Sequence, residues 1–267
     1  MPDPARPTPH AATSASATDS AGDAPATHAA AGAPAPGATE ATEATEATEA
    51  TGAAVAGLVR SGRRLAAGGL VVGTAGNLSA RVGETLLVTA TGADLGALTP
   101  ALITTVSVTG AVLGGAHEPT SELPLHRALY ATLGCRAVAH AHAPASVAVG
   151  CVLDELPPLH YATLLLGGPV RVAEYATFGS EELARAVLRA LDGRSAALLR
   201  NHGSIAVGDT VEQACERLEL LEWLSEVHCR AAALGAPRPL SAAQLDAAAA
   251  EFAGRGYGAP RPRTPPA

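Results

Sequence analysis

Apolar residues in the body of this chain recur at two spacings. Ala54-Val55, Leu58-Val59 and Leu65-Ala66 return at the period of a helix, with Arg60, Arg63 and Arg64 as polar partners, and Gly68-Gly69 marks its end. Shorter runs suit strands. One is entered through Gly73-Thr74-Ala75-Gly76-Asn77, and Thr85 to Thr89 follows a Gly83-Glu84 turn. Ile103 to Val108 and Ala111 to Leu113 flank Thr109-Gly110 and read as a hairpin. Helical spacing returns after Ser121, a plausible N-cap, with Leu125, Leu129 and Leu133 as the apolar stripe. Pro124 is tolerable there because it falls in the first turn. Ala137 to Ala143 reads as a strand, Pro144 opens a helix, and 159–166 reads as helical. Val170 to Ala173, Ser195 to Leu199 and Ser204 to Val207 read as strands. Leu183, Val187, Leu188 and Leu191 face inward from an amphipathic helix, Val211 to Leu234 is a long helix stopped by Gly235, and one more helix follows Leu240.

Strands and helices alternate, yet several strand pairs are joined by tight turns, which argues against a purely parallel sheet. The expected fold class is α/β: one domain with a largely antiparallel sheet covered by helices. Residues 1–50 carry no such pattern. They are Ala, Pro, Thr, Ser and Asp, ending in an Ala-Thr-Glu repeat, and hold almost no large apolar side chain. Such a segment cannot bury enough surface to offset chain entropy, so it is expected to be a disordered tail. The folded domain is then 51–258, followed by a second disordered tail over 259–267.

Composition narrows the chemistry. Hydrophobic residues make up 48% but aromatics only 3%, so the core must be built from Ala, Val and Leu. The net charge of -7 gives no electrostatic support to nucleic-acid binding. No run approaches the ~18 apolar residues of a membrane span, and no signal-peptide pattern opens the chain. Cys135, Cys151, Cys215 and Cys229 form no Cys-x-x-Cys pair, which fits a reducing cytoplasm. All 18 basic residues are arginine. A Schiff base and a P-loop both need lysine, so both are excluded, and carbonyl chemistry would have to use a metal or an oxyanion hole.

Candidate residues cluster in Glu118 to Pro144. His140 and His142 are two apart, and on a strand both imidazoles leave on one face. Two imidazoles on one face are half a zinc site. Asn201-His202-Gly203 offers a third ligand between two apolar strands, and the glycine lets the backbone approach closely. Glu122 reads either as a ligand or as a first-turn acid favoured by the helix dipole. Thr120 and Ser121 read either as caps or, with Gly76-Asn77 and Thr91-Gly92, as an uncharged nest of N–H and hydroxyl groups for a phosphate. His126, one turn after Glu122, and His160 read as structural.

Taken in order, Gly73-Thr74-Ala75-Gly76-Asn77-Leu78-Ser79, Pro119-Thr120-Ser121-Glu122, His140-Ala141-His142, Tyr175-Ala176-Thr177-Phe178-Gly179 and Asn201-His202-Gly203 resemble the class II aldolase/adducin family. The resemblance runs from about Ala54 to Tyr257. It implies a three-layer α/β/α fold with a central, mainly antiparallel sheet, and a homotetramer with active sites at subunit interfaces. It implies one Zn2+ on His140, His142 and His202, with Glu122 as a fourth ligand until substrate displaces it. Gly76, Asn77, Thr91, Gly92, Thr120 and Ser121 would hold the phosphate of a sugar phosphate. Glu122 would move the proton, with Tyr161 of a neighbouring subunit and Tyr257 assisting.

The implied reaction is cleavage of a ketose 1-phosphate to dihydroxyacetone phosphate and an aldehyde. A pentulose-5-phosphate 4-epimerase and a sugar-phosphate dehydratase are the enzymatic alternatives. A non-enzymatic adducin-like scaffold is the remote one, since such branches lose the ligands that this chain keeps. Ala90 and Asn201 depart from the residues common in the family, and neither removes a ligand.

Overall fold

A computed structural model describes the backbone of residues 36–255 and the side chains of 45–254. Two units divide the chain, Met1–Glu40 and Ala41–Ala267. Of the first, the described residues are helical backbone. Helix α1 spans Pro36–Ala67, so residues 36–50 are helical where disorder was expected. Alanine and glutamate are good helix formers, and extending a helix already anchored beyond Ala53 avoids the cost of a new nucleus. Thr51 turns its hydroxyl back onto Ala47 O at 2.8 Å. Residues 1–35 and 256–267, including the rest of both expected tails, lie outside the described residues.

The second unit is built on a nine-stranded sheet, with strands β1 Asn77–Val82, β2 Thr85–Thr89, β3 Ile103–Ser107, β4 Val112–Gly114, β5 Ala137–Ala141, β6 Glu155–Leu156, β7 Val170–Ala173, β8 Ala196–Leu199 and β9 Gly203–Gly208. Their order across the sheet is β4-β3-β2-β1-β5-β9-β8-β7-β6. Neighbours are antiparallel except β7 and β8. The remaining helices are α2 Leu123–Leu133, α3 Pro144–Val152, α4 Glu181–Ala190, α5 Val211–Leu234 and α6 Ala242–Arg255, with a 3-10 segment at Tyr161–Leu166.

Two cores sandwich the sheet. One gathers Leu58 and Leu65 of α1, Val149 of α3 and Leu218 and Leu221 of α5 around Leu78, Leu87, Ala139 and Leu198. The other gathers Leu125 and Leu129 of α2 and Leu183 and Val187 of α4 around Leu86, Val88, Val138 and Ile205. Adjacent strand residues such as Leu86 and Leu87, or Val138 and Ala139, fall in different cores, as the two-residue period of a strand requires. The result is the three-layer α/β/α architecture. With 3% aromatics, the layers are filled by aliphatic side chains, and a stripe of alanines at 137, 139 and 141 faces the α5 side.

The start of α2 differs from expectation. Glu122, not Ser121, sits at the N-cap, and its side chain makes no capping bond. It is turned instead toward the strands.

Candidate metal centre

Strand β5 is central and fully buried. Register pairs Asn77 of β1 with His140 of β5, so their side chains share the α2 face of the sheet. His142 lies one residue past the end of β5, and His202 lies in the tight turn from β8 into β9. Antiparallel pairing brings the start of β1, the end of β5 and the start of β9 together. That is why residues far apart in sequence meet at one end of the sheet.

Two backbone features allow the meeting. A Cβ on Gly203 would lie 2.4 Å from Ala141 O and 2.9 Å from the His142 ring, so only glycine permits this approach. Asn201 has φ 52°, the left-handed region that asparagine tolerates better than most residues. Its side-chain N–H donates to Cys151 Sγ at 3.2 Å.

The three imidazoles form a triangle with ring centroids 4.8–4.9 Å apart. One ligand atom from each lies within 4.8 Å of the others. Ser204 O can only accept, so at 2.9 Å His140 Nδ1 donates to it and Nε2 points inward. There Nε2 lies 3.0 Å from His142 Nε2 and 3.0 Å from Glu122 Oε2. Glu122 Oε1 lies 3.4 Å from His202 Nε2 and is buried with no hydrogen-bond partner. Converging ring nitrogens and an orphaned carboxylate oxygen are unfavourable unless a positive charge lies between them. Three imidazoles and a carboxylate are also the donor set of a catalytic divalent site. The residues therefore fit a metal.

Electrostatics agree. Burial alone would raise the Glu122 pKa, but the charge and hydrogen bond of His140, with help from Asn77 and His202, leave it well below the usual carboxylate range. Burial alone would lower the pKa of His140, and Glu122 overrides it upward. Burial and the neighbouring rings hold His142 and His202 down, each to about 4. A metal must displace whatever proton the His140–Glu122 pair holds.

The centre lies at the floor of a cavity of about 480 Å³ lined by Gly76, Asn77, Thr91, Gly92, Thr120, Ser121, Glu122, His142 and His202. Every residue expected at the phosphate site is on its wall. The Thr91 and Thr120 N–H groups already bond Glu118 O and Thr89 O, and Thr120 Oγ1 accepts from Glu122 N–H at 3.3 Å, so Thr120 has its hydroxyl proton left to offer a ligand. Asn77 Nδ2 donates to Glu122 Oε2 at 2.9 Å and keeps a second N–H. Among the described residues no arginine lines this cavity, and the sequence has no lysine. The lining also includes the apolar Tyr175, Ala176 and Phe178, the two aromatics each 64% exposed, residues that the sequence showed only as part of a motif.

Tyr161 does not line the cavity; it stacks on His160 at 4.2 Å and meets Phe252 of α6. Tyr257 lies outside the described residues. His126, read from sequence as structural, is fully buried and bonded to Asn77. Burial holds it neutral, with its pKa lowered to about 4. Among the described residues no helix is long and apolar enough to cross a membrane.

Comparison with known proteins gives the same frame. Residues 56–229 match the family model for the class II aldolase and adducin N-terminal domain. The chain is 37% identical over 211 residues to a 5-methylthioribulose-1-phosphate/5-deoxyribulose-1-phosphate aldolase of Rhodospirillum rubrum, covering 78% of this chain and 95% of that protein. It is 36% identical over 178 residues to L-fuculose phosphate aldolase of Escherichia coli strain K12, covering 64% and 80%. A solved structure of L-fuculose 1-phosphate aldolase superposes with a TM-score of 0.71 at 32% identity, covering 75% of this chain and 96% of that one.

Proposed function

The chain belongs to the class II aldolase and adducin family, and from that premise we propose that it cleaves a ketose 1-phosphate with an apolar far end into dihydroxyacetone phosphate and an aldehyde. The observation that carries this is the mixed lining of the cavity at the imidazole triangle. Part of it offers hydroxyl and N–H groups without charge, and part offers Tyr175, Ala176 and Phe178. A phosphate suits the first part and a deoxy or thioether terminus suits the second. The Rhodospirillum rubrum relative is named for such substrates, as is the 5-deoxy-D-ribulose 1-phosphate aldolase of Bacillus thuringiensis, 29% identical over 202 residues. L-Fuculose 1-phosphate, also a 1-phosphorylated ketose with a deoxy terminus, fits the same description.

His140, His142 and His202 would hold the cation, with Glu122 completing the set, and zinc suits this mixture of imidazole and carboxylate. When bound, the ion supplies a Lewis acid for the carbonyl and adjacent hydroxyl oxygens of the substrate. Thr91, Thr120, Ser121 and the glycines at 76 and 92 fix the phosphate end. As the C3–C4 bond breaks, the C4 hydroxyl loses its proton and becomes the aldehyde oxygen; an ionised Glu122 would take that proton up and pass it to the carbon that becomes C3 of dihydroxyacetone phosphate, with the reverse in the aldol direction. Without a lysine the chain has no amine route to the same bond. Tyr161, absent from the cavity of its own chain, would reach a site only from a second copy, in keeping with a homotetramer.

The test is metal analysis of the purified protein followed by cleavage assays on 5-deoxyribulose 1-phosphate, 5-methylthioribulose 1-phosphate and fuculose 1-phosphate. One divalent ion per chain and release of dihydroxyacetone phosphate are expected. Epimerisation of pentulose 5-phosphates, dehydration of a sugar phosphate, or decarboxylation of a 3-oxo acid phosphate without aldol cleavage would replace this reading.

A further inference from the structure

Four polar side chains are sunk into the otherwise aliphatic layer between β1 and α2. Asn77, Ser79, His126 and Tyr130 are at most 7% exposed. They form one chain of contacts: Tyr130 OH to Ser79 Oγ at 2.7 Å, Ser79 Oγ to His126 Nδ1 at 2.6 Å, His126 Nε2 to Asn77 Oδ1 at 2.5 Å, and Asn77 Nδ2 to Glu122 Oε2 at 2.9 Å.

The direction of every bond follows from the last one. An ionised Glu122 only accepts, so Asn77 must present its NH2 group and turn Oδ1 toward the helix. Oδ1 only accepts, so His126 carries its proton on Nε2. The lone pair of Nδ1 then accepts from the Ser79 hydroxyl, and Ser79 accepts from Tyr130. No donor faces a donor and no acceptor faces an acceptor. The amide in the middle cannot pass a proton along, so the row orients groups and does not conduct.

We propose that His126 is a positioning residue that acts through Asn77 to aim the Glu122 carboxylate at the imidazole triangle. Without the Nε2–H of His126, nothing in the row holds the Asn77 amide against a half turn. That turn would set Oδ1 against the carboxylate, acceptor against acceptor, and swing Glu122 away from His140. With the row intact, Oε2 is tied to Asn77 and His140, and Oε1 is the oxygen left for the metal or the substrate proton. This rests on the proposed role of Glu122.

Two measurements test it. The first needs no substrate and no variant to be active: 15N spectra of the histidine-labelled, zinc-loaded protein, with the His126 signal assigned by its loss in His126→Gln. A neutral ring protonated on Nε2 is expected, and protonation on Nδ1 overturns the proposal. The second is a cycle of His126→Phe, Asn77→Ala and the double variant, assayed by cleavage and zinc content, with His126→Gln alongside because its amide N–H reaches toward Asn77. His126→Phe is expected to lower kcat about 10-fold or more with KM changed less than about 3-fold and zinc retained. Gln is expected to restore most of the loss, and the double variant to be no worse than Asn77→Ala alone. Losses that multiply in the double variant, or Gln no better than Phe in folded protein, overturn it. A wild-type protein that cleaves none of the sugar phosphates overturns the functional reading instead, and the nitrogen spectra then decide the row by themselves.

Discussion

Ala139 and His140 are neighbours in β5 and face opposite layers of the molecule. Around Ala139 the layer is Leu58, Leu65, Leu218 and Leu221 against a stripe of alanines. Around His140 the layer also holds leucines and valines, but a buried polar row crosses it and ends at Glu122. Both layers exclude water. The first does so by aliphatic packing. In the second, every buried polar group in the row has a partner, except the carboxylate oxygen that faces the metal centre. The difference teaches that one sheet can separate stability from chemistry by alternation alone. Substitutions on the two sides are therefore expected to be read by different instruments.

The sharpest contrast is at the end of the polar row. Glu122→Gln is expected to keep the metal and the melting temperature while cleavage falls by ~10² to 10⁴-fold, the usual share of a general acid–base group. Activity near wild type would remove Glu122 from the proton step. On the other layer, Leu218→Ala opens a cavity in a fully buried position. It is expected to cost ~2–5 kcal/mol in urea unfolding while kcat per folded molecule is unchanged. A matching loss of kcat would mean that the layers are not separable.

Acid separates them further. The His126 pKa is about 4 in the folded protein against an ordinary value near 6.5, so the unfolded chain binds the extra proton first. Its contribution to stability is complete above pH 6.5 and is lost as the pH falls toward 4, in total ~3 kcal/mol at about 1.4 kcal/mol per pH unit. His142 and His202 act in the same direction, and His140, shifted upward, acts against them. Melting of metal-free protein across this range is expected to be flatter for His126→Gln than for wild type, and an unchanged slope would count against a neutral His126. A smaller cost, ~1–3 kcal/mol, is expected for Gly203→Ala, whose new methyl meets backbone rather than a movable side chain. Cutting the exposed Arg230–Glu226 pair, 2.9 Å apart on α5, is expected to change stability by less than ~0.5 kcal/mol.

Much of this was legible in the sequence where one local rule decides the outcome. The strands at Val170–Ala173 and Ser195 to Leu199, the helix Val211–Leu234 with its Gly235 stop, and the two imidazoles on one face each follow from period or punctuation. The two-residue strand β6 was too short to show a period. The helical stretch 36–50 was misjudged because its own propensity was weighed without the anchored helix that follows it. His126 was read as bland because its partners lie 47 and 49 residues away on β1. A signal was present: Asn77 and Ser79 are polar at strand spacing, and Glu122, His126 and Tyr130 are polar at helical spacing. Only the packing of α2 on β1 shows that the two rows face each other.

The close contact of Gly203 with Ala141 gives the centre a fixed gauge. His140 lies on β5, His142 just past its end and His202 in the turn that enters β9, and β5 and β9 are neighbours held by backbone hydrogen bonds at a spacing of ~4.8 Å. The distance between the backbones that carry the three rings is thus largely a dimension of the sheet. Substitutions at the exposed Tyr175 and Phe178 can then reshape the cavity while the three imidazoles stay where the strands have set them.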